Sequence, residues 1–178
     1  PAEGVRLSKI VSLANNLEAR FRLAVANSDE DSVQELITHP ATVIGLSDAG
    51  AHASQLCDAC FSTFLLSRWV REKKVLSVEE AIRMLTSRPA QVFGITDRGT
   101  LAVGKPADVV VINMATVGAG PLQRVHDLPA GEDRLISQAT GIDAVIVNGV
   151  VLRQNNVDAI DAVHGKLPGR LLRNGAAA

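Results

Sequence analysis

Residues 42–52 read Thr-Val-Ile-Gly-Leu-Ser-Asp-Ala-Gly-Ala-His. The first five are mostly apolar and β-branched, so they predict a short buried strand over 42–46. A polar turn follows at once, beginning with Ser47 and Asp48. The Asp48 carboxylate should therefore emerge at the carboxyl end of a strand, the edge at which parallel α/β folds build their active sites.

Asp48 is the leading candidate for chemistry. A carboxylate at that edge can bind a metal ion or accept a proton from metal-bound water. The alternative is that Asp48 caps the following turn, a role that aspartate fills well. His52 lies four residues on, so the two side chains would share a helical face and His52 could contact substrate or metal. A single histidine more often completes a hydrogen-bond network, and a metal site needs three or four ligands.

Upstream of this stretch, residues 28–38 predict a helix. Ser28 or Asp29 can cap it, its first turn is acidic, and Pro40 ends the pattern. Residues 1–27 have weak periodicity and predict a loop followed by a short element around 17–25.

Downstream, residues 59–74 predict a helix with one apolar side. Ser77 and Glu80 have the spacing of a capping box that opens the next helix, and Pro89 restarts a short one that Gly94 closes. The residues expected on the apolar side of the first helix are Phe61, Phe64, Leu65 and Trp69.

The composition changes after Gly94. Residues 108–112 are β-branched and predict a strand, whereas 115–141 are rich in turn formers and predict a long loop. Two strand-like runs flank Asn148-Gly149, a strong hairpin signal. The tail, 167–178, is expected to be poorly packed. Within the long loop, Arg124, Asp127 and Arg134 are interpreted as solvated charges.

Cys57 and Cys60 form a C-x-x-C pair just before the predicted helix at 59–74. A redox pair can have this spacing, but two buried structural thiols are the favoured interpretation. Residues 99–106 approach the phosphate-loop pattern, but Pro106 stands where Ser or Thr would hold Mg²⁺ and a strand follows instead of a helix. Nucleotide binding is therefore rejected.

The composition is that of a globular protein: 178 residues, 47% hydrophobic, with a formal net charge of −1. Neither nucleic acid nor a membrane is expected as a partner, because the charge is balanced and no apolar run approaches ~20 residues. With two cysteines and no secretory pattern, a cytoplasmic location is expected. The sequence opens with Pro1, so we expect either removal of an initiator Met or a piece of a longer protein.

Several of these stretches resemble the D-aminoacylase (N-acyl-D-amino-acid deacylase) group of amidohydrolases. Residues 44–52 look like the end of the eighth barrel strand in that group. Residues 99–111, Gly-Thr-Leu-Ala-Val-Gly-Lys-Pro-Ala-Asp-Val-Val-Val, are similar to the superfamily segment at which the chain enters a β-sandwich beside the barrel. The stretches similar to the intervening helices are 69–72, 76–81 and 85–90.

The resemblance implies an α/β fold: the C-terminal portion of a (β/α)8 TIM barrel over 1–95, then a small composite β-sandwich domain over 96–178. It implies a hydrolase that uses zinc (Zn) to cleave the amide C–N bond of an N-acyl-D-amino acid or a related small-molecule amide. On that basis Asp48 would bind the metal and transfer the proton as the catalytic residue, and His52 would bind substrate.

The family's other metal ligands, a first-strand His-x-His, a bridging Lys or Cys and later His residues, have no counterpart in this sequence. A barrel takes ~250 residues, so we expect the isolated chain to be incomplete and to associate with a missing N-terminal part or form a homo-oligomer. Two alternatives remain open: a non-catalytic amidohydrolase-derived assembly or regulatory module, and a thiol redox protein that uses Cys57 and Cys60.

Overall fold

The computed structural model describes residues 2–21, 26–45, 47–55, 57, 59–159, 166–173 and 175–177. The chain divides into two compact units, Pro1–His39 and Pro40–Ala178. This division reflects packing and does not test the boundary expected between residues 95 and 96, which stays a prediction. Among the described residues, no helix combines the length and the apolar character needed to cross a membrane.

The first unit contains two helices, α1 (Ala2–Ala14) and α2 (Glu30–Thr38). Asp29 caps α2, since its carboxylate accepts the backbone N–H of Asp31 at 3.2 Å, which confirms the helix predicted over 28–38. The loop predicted at the start of the chain is wrong, because α1 occupies it. Of the short element predicted around 17–25, residues 17–21 are neither helix nor strand, and 22–25 lie outside the described residues.

The second unit begins without the strand predicted over 42–46. Residues 42–45 have no regular secondary structure, and residue 46 lies outside the described part of the chain. A short apolar run becomes a strand only when a neighbouring strand accepts its backbone hydrogen bonds. Every described strand pair is antiparallel, so the parallel barrel implied by the resemblance stays a prediction.

Helices follow in the predicted order. α3 (Phe61–Phe64) continues as a π-helix (Leu65–Glu72), in which the Lys73 N–H donates to the Arg68 carbonyl at 2.9 Å. Two more helices follow, α4 (Val78–Leu85) and α5 (Ser87–Val92).

Ser77 begins α4 as predicted, because its hydroxyl oxygen accepts the Glu80 N–H at 3.1 Å. The Glu80 carboxylate does not complete a capping box. It pairs with Arg83 instead, at 2.7 Å.

The core of the second unit lies where the π-helix packs beside α4 and the chain around Val117. Arg71 fixes this contact by donating to the Val117 carbonyl at 2.5 Å and to the Met114 carbonyl at 3.3 Å. The buried apolar side chains are Leu65, Leu66, Trp69, Val70, Leu76, Ala81, Met84, Ala90 and Val117. Of the four residues predicted on the apolar side of the helix over 59–74, Leu65 and Trp69 are buried, whereas Phe61 and Phe64 are exposed.

The second half of the chain is a set of small antiparallel sheets. The described strands are β1 (Val109–Ile112), β2 (Gly118–Ala119), β3 (Gln123–Val125), β4 (Arg134–Ile136), β5 (Ala139–Thr140), β6 (Ile142–Val147), β7 (Val150–Gln154), β8 (Val157–Asp158), β9 (Leu172–Arg173) and β10 (Ala176–Ala177). The main sheet has the order β1-β6-β7-β8, and the smaller sheets pair β2 with β5, β3 with β4 and β9 with β10.

Two predictions are confirmed here: the strand at β1, and the hairpin whose turn is Asn148-Gly149. Both turn residues have positive φ, 47° and 80°, as a two-residue hairpin turn of the primed type requires. The long loop predicted over 115–141 is wrong, since four short strands lie within it. The described part of the tail is also better packed than expected, because the Thr96 N–H donates to the Gly175 carbonyl at 2.7 Å.

Candidate active site

Asp48 opens the first of two consecutive turns, and His52 opens the second. No strand is described directly before Asp48. The Ala51 N–H donates to the Asp48 carbonyl at 3.1 Å, and the Gln55 N–H donates to the His52 carbonyl at 2.7 Å. Gly50 has a φ of +93°, a conformation that a residue with a Cβ rarely adopts. We call residues 47–55 the site loop.

The side chains of Asp48 and His52 are both exposed. Within the part of the chain that the structure describes, the Asp48 carboxylate accepts no hydrogen bond, so the capping alternative is not observed there. No described contact joins Asp48 to His52. The catalytic and metal-binding role of Asp48 and the substrate contact of His52 therefore stay predictions.

A complete metal site does not form among the described residues. They contain no group of three or more His, Cys, Asp or Glu side chains placed to hold an ion. A zinc site needs four protein ligands, or three protein ligands and a water molecule. The described residues therefore do not fit a zinc ion by themselves.

The hairpin formed by β3 and β4 holds the far end of the site loop. The Leu135 N–H donates to the Ala53 carbonyl at 2.8 Å, and a guanidinium nitrogen of Arg124 donates to the Ser54 carbonyl at 3.0 Å. The other terminal nitrogen of Arg124 pairs with Asp133. Sequence reasoning missed this support because residues 70 or more positions apart give no local signal.

The charges of this hairpin are paired, which was not predicted, although Arg134 and Asp127 also stay 43% and 50% exposed to solvent. Arg134 donates to both carboxylate oxygens of Asp127, at 2.7 Å each. The hydrogen bond from Arg134 lowers the pKa of Asp127, and in return Asp127 raises the pKa of Arg134.

Cys57 and Cys60 are free thiols, and both are half-buried. Cys60 precedes α3, with its sulfur 4.0 Å from the Cys57 carbonyl. The structure thus has no disulfide at this pair, while the choice between redox and structural thiols stays open.

Lys105, in the glycine-rich segment 99–106 before β1, forms hydrogen bonds with residues close to it in sequence. The Lys105 ammonium donates to the Thr100 hydroxyl at 2.8 Å and to the Thr96 carbonyl at 3.3 Å. Beside it Arg98, which sequence reasoning did not single out, pairs with Asp97 at 3.1 Å and with Asp108 at 2.8 Å. Asp97 is the main cause of the raised pKa of Arg98.

Comparison with known proteins places this chain in a family. The model of a family described as "Amidohydrolase family" matches residues 13–153, which include the site loop and all strands up to β6. The chain belongs to the amidohydrolase family, and its relatives place it in the D-aminoacylase group.

Three relatives come from Alcaligenes xylosoxydans xylosoxydans. N-acyl-D-glutamate deacylase is 36% identical over 151 residues, covering 83% of this chain and 28% of the relative. N-acyl-D-aspartate deacylase is 33% identical over 132 residues, covering 68% of this chain and 23% of the relative. D-aminoacylase is 31% identical over 151 residues, covering 84% of this chain and 28% of the relative.

The chain therefore spans less than a third of the length of each of these relatives. No solved structure matches it significantly.

Proposed function

We propose that the full-length protein containing these residues hydrolyses the amide bond of an N-acyl-D-amino acid or a related linear amide. The observation that carries the proposal is the similarity to three proteins named as deacylases of such compounds or as a D-aminoacylase, over most of this chain. Since the chain covers less than a third of each relative, the activity is proposed for the longer protein and not for the 178 residues alone.

Asp48 is proposed as the residue of this chain that takes part in the reaction. Its carboxylate is exposed, and within the described residues it is not engaged in a hydrogen bond that would have to break first. A carboxylate in this state is available to a group supplied by another part of a longer polypeptide. We further propose that the enzyme depends on zinc, with the remaining ligands contributed by residues outside this chain.

His52 is proposed to contact substrate. It begins the second turn of the site loop, four residues after Asp48, and its ring is exposed. An exposed imidazole four residues after the proposed catalytic carboxylate could donate a hydrogen bond to a polar group of the substrate.

A second candidate function is a non-catalytic assembly module. Several large apolar side chains of the second unit are exposed, among them Phe93 at 75%, Leu101 at 73% and Val157 at 68%. Apolar surface of this kind is often covered by a partner. Light scattering on the 178-residue chain tests this second candidate, because an assembly module should form a defined oligomer without the rest of the protein.

The test of the first candidate is a direct assay of amide hydrolysis by the full-length protein. Release of free amino acid is measured from N-acetyl-D-glutamate, N-acetyl-D-aspartate and an apolar N-acetyl-D-amino acid, each beside its L-enantiomer. We expect release from at least one D-compound and a strong preference for it over the L-form, with loss of activity after chelation and recovery on adding Zn²⁺. A folded full-length protein that releases no amine from any of these compounds would refute the proposal.

A further inference from the structure

The second of the two site-loop turns is held from one side by a two-point contact. The backbone contact runs from the Leu135 N–H to the Ala53 carbonyl at 2.8 Å, and the side-chain contact runs from Arg124 to the Ser54 carbonyl at 3.0 Å. The two acceptors are consecutive carbonyls, and they follow His52 directly. The hairpin therefore contacts the turn that His52 begins at two consecutive residues.

Arg124 is suited to this contact because a guanidinium can bind two acceptors at once. One terminal nitrogen pairs with the Asp133 carboxylate, and the other donates to Ser54. Both charged side chains are largely covered, with 26% of Arg124 and 17% of Asp133 exposed. Water therefore competes less for the part-buried Asp133 bond than it does for bonds at the open surface. The Asp133 pair holds the guanidinium in the orientation that reaches Ser54, where the bond is exposed.

A second arginine of the same hairpin provides a comparison. Arg134 also pairs with an aspartate, but it directs both of its bonds to Asp127, and the two side chains are 43% and 50% exposed. In the described part of the chain, the side chain of Arg134 makes no bond to the site loop. The two arginines thus share the hairpin and the type of partner, and they differ in whether they contact residues 47–55.

We infer that Arg124 is a positioning residue, whose guanidinium fixes the β3–β4 hairpin against the site loop and so sets the placement of Asp48 and His52. This inference rests on the proposed function, because it deepens the role of the same loop. It assigns Arg124 no contact with substrate. Removing Arg124 should lower turnover by letting the loop move, since small misplacements of reacting groups are costly.

The first measurement follows amide hydrogen exchange in the full-length protein and needs no activity. Arg124→Ala should speed exchange about tenfold at Leu135 and in the turns of residues 49–55, because one charge-assisted hydrogen bond is lost. Arg124→Lys keeps a positive charge beside Asp133 but lacks the fork that reaches Ser54, so it should also loosen the loop. Arg134→Ala is the matched control, and exchange in residues 49–55 should stay as in the wild type.

The second measurement compares kcat and KM for the same three variants. Arg124→Ala and Arg124→Lys should lower kcat about tenfold or more, with a smaller change in KM, whereas Arg134→Ala should retain turnover. Unchanged loop exchange in Arg124→Ala overturns the inference, and so does faster exchange with unchanged kcat.

These outcomes are distinct from failure of the proposed function. If the wild type hydrolyses no amide, the proposed function fails, and with it the claim that Arg124 places catalytic groups. Loss of hydrolysis in Asp48→Asn together with wild-type kcat in Arg124→Ala would keep the proposed function and remove the role of Arg124.

Discussion

Asp108 accepts the backbone N–H of Asn148 at 2.8 Å, although the two lie 40 positions apart in sequence. Its other carboxylate oxygen accepts from Arg98, also at 2.8 Å. One aspartate therefore joins the turn between β6 and β7 to the segment that precedes β1. This contact gives a structural reason for an Asp directly before the β-branched run of β1, in the segment by which the sequence resembles amidohydrolases.

Asp108→Asn should destabilise the second unit. The amide oxygen can still accept from Asn148, but the charge that binds Arg98 is lost, which should lower the free energy of unfolding by about 1–3 kcal/mol. Urea denaturation at neutral pH measures this change. Asp143→Asn is the control, because Asp143 is an exposed residue of β6, and an equal loss in both variants would contradict the role given to Asp108.

The correct sequence predictions depended on local signals. Asp29 before α2, Ser77 before α4 and Asn148-Gly149 between β6 and β7 each act on a backbone group within three residues of themselves. Such signals can be read from a short window of sequence, because the hydrogen bond that they predict lies inside that window.

Several of the wrong predictions concern structure that depends on distant residues. The strands within 115–141 are two or three residues long, and the carbonyl of Val117 is held by Arg71, 46 positions away. The apolar run at 42–46 carries no information on whether a partner strand exists beside it. A helical wheel of 3.6 residues also misplaced Phe61 and Phe64, which precede the π-helix and are 38% and 47% exposed.

Predictions for the candidate site depended on resemblance more than on physics. Asp48 could be selected because it follows an apolar run, and it does lie exposed, but the turns around it were not predicted. Arg124 was assigned to solvent because its partners, Asp133 and Ser54, lie on different segments of the chain. A single sequence does not reveal such pairings.

Ser77→Ala should destabilise α4 by about 1 kcal/mol, since the Glu80 N–H loses its acceptor. Ser77→Asp restores an acceptor oxygen and should recover most of that stability. Thermal unfolding followed by circular dichroism measures both. Equal melting temperatures for the two variants would show that the cap contributes nothing.

Gly141→Ala should be among the most damaging glycine substitutions. Gly141 has a φ of +67°, and an added Cβ would overlap the backbone of Val117, which is fully buried. The expected loss exceeds about 2 kcal/mol, from strain together with displacement of the core.

Gly104→Ala provides the matched control for Gly141. Its φ is similar, +88°, but nothing lies within 4 Å of the added Cβ. This variant should lose only the strain of the left-handed conformation, about 1 kcal/mol. A loss as large as that of Gly141→Ala in chemical denaturation would contradict the proposed overlap with Val117.

The pair between Asp127 and Arg134 predicts a pH effect of known sign. The hydrogen bond from Arg134 lowers the pKa of Asp127 below its ordinary value of 3.8. Because the pKa of Asp127 is lower in the folded protein, the pair stabilises the fold at pH values above the ordinary pKa. This stabilisation is lost as the pH falls through the lowered pKa. NMR titration of the Asp127 carboxyl should show the lowered pKa, and Arg134→Ala should return it to the ordinary range. An unchanged titration in Arg134→Ala would contradict the assigned cause.

The role of Asp48 is decided by the turnover of Asp48→Asn in the full-length protein, on whichever N-acyl-D-amino acid the wild type hydrolyses. Asn has the size of Asp but cannot accept a proton as a carboxylate does, so we expect kcat to fall by at least about 100-fold, with the fold intact by circular dichroism. Asp143→Asn serves as the control and should keep wild-type turnover. Wild-type turnover in Asp48→Asn would show that the Asp48 carboxylate takes no part in the reaction.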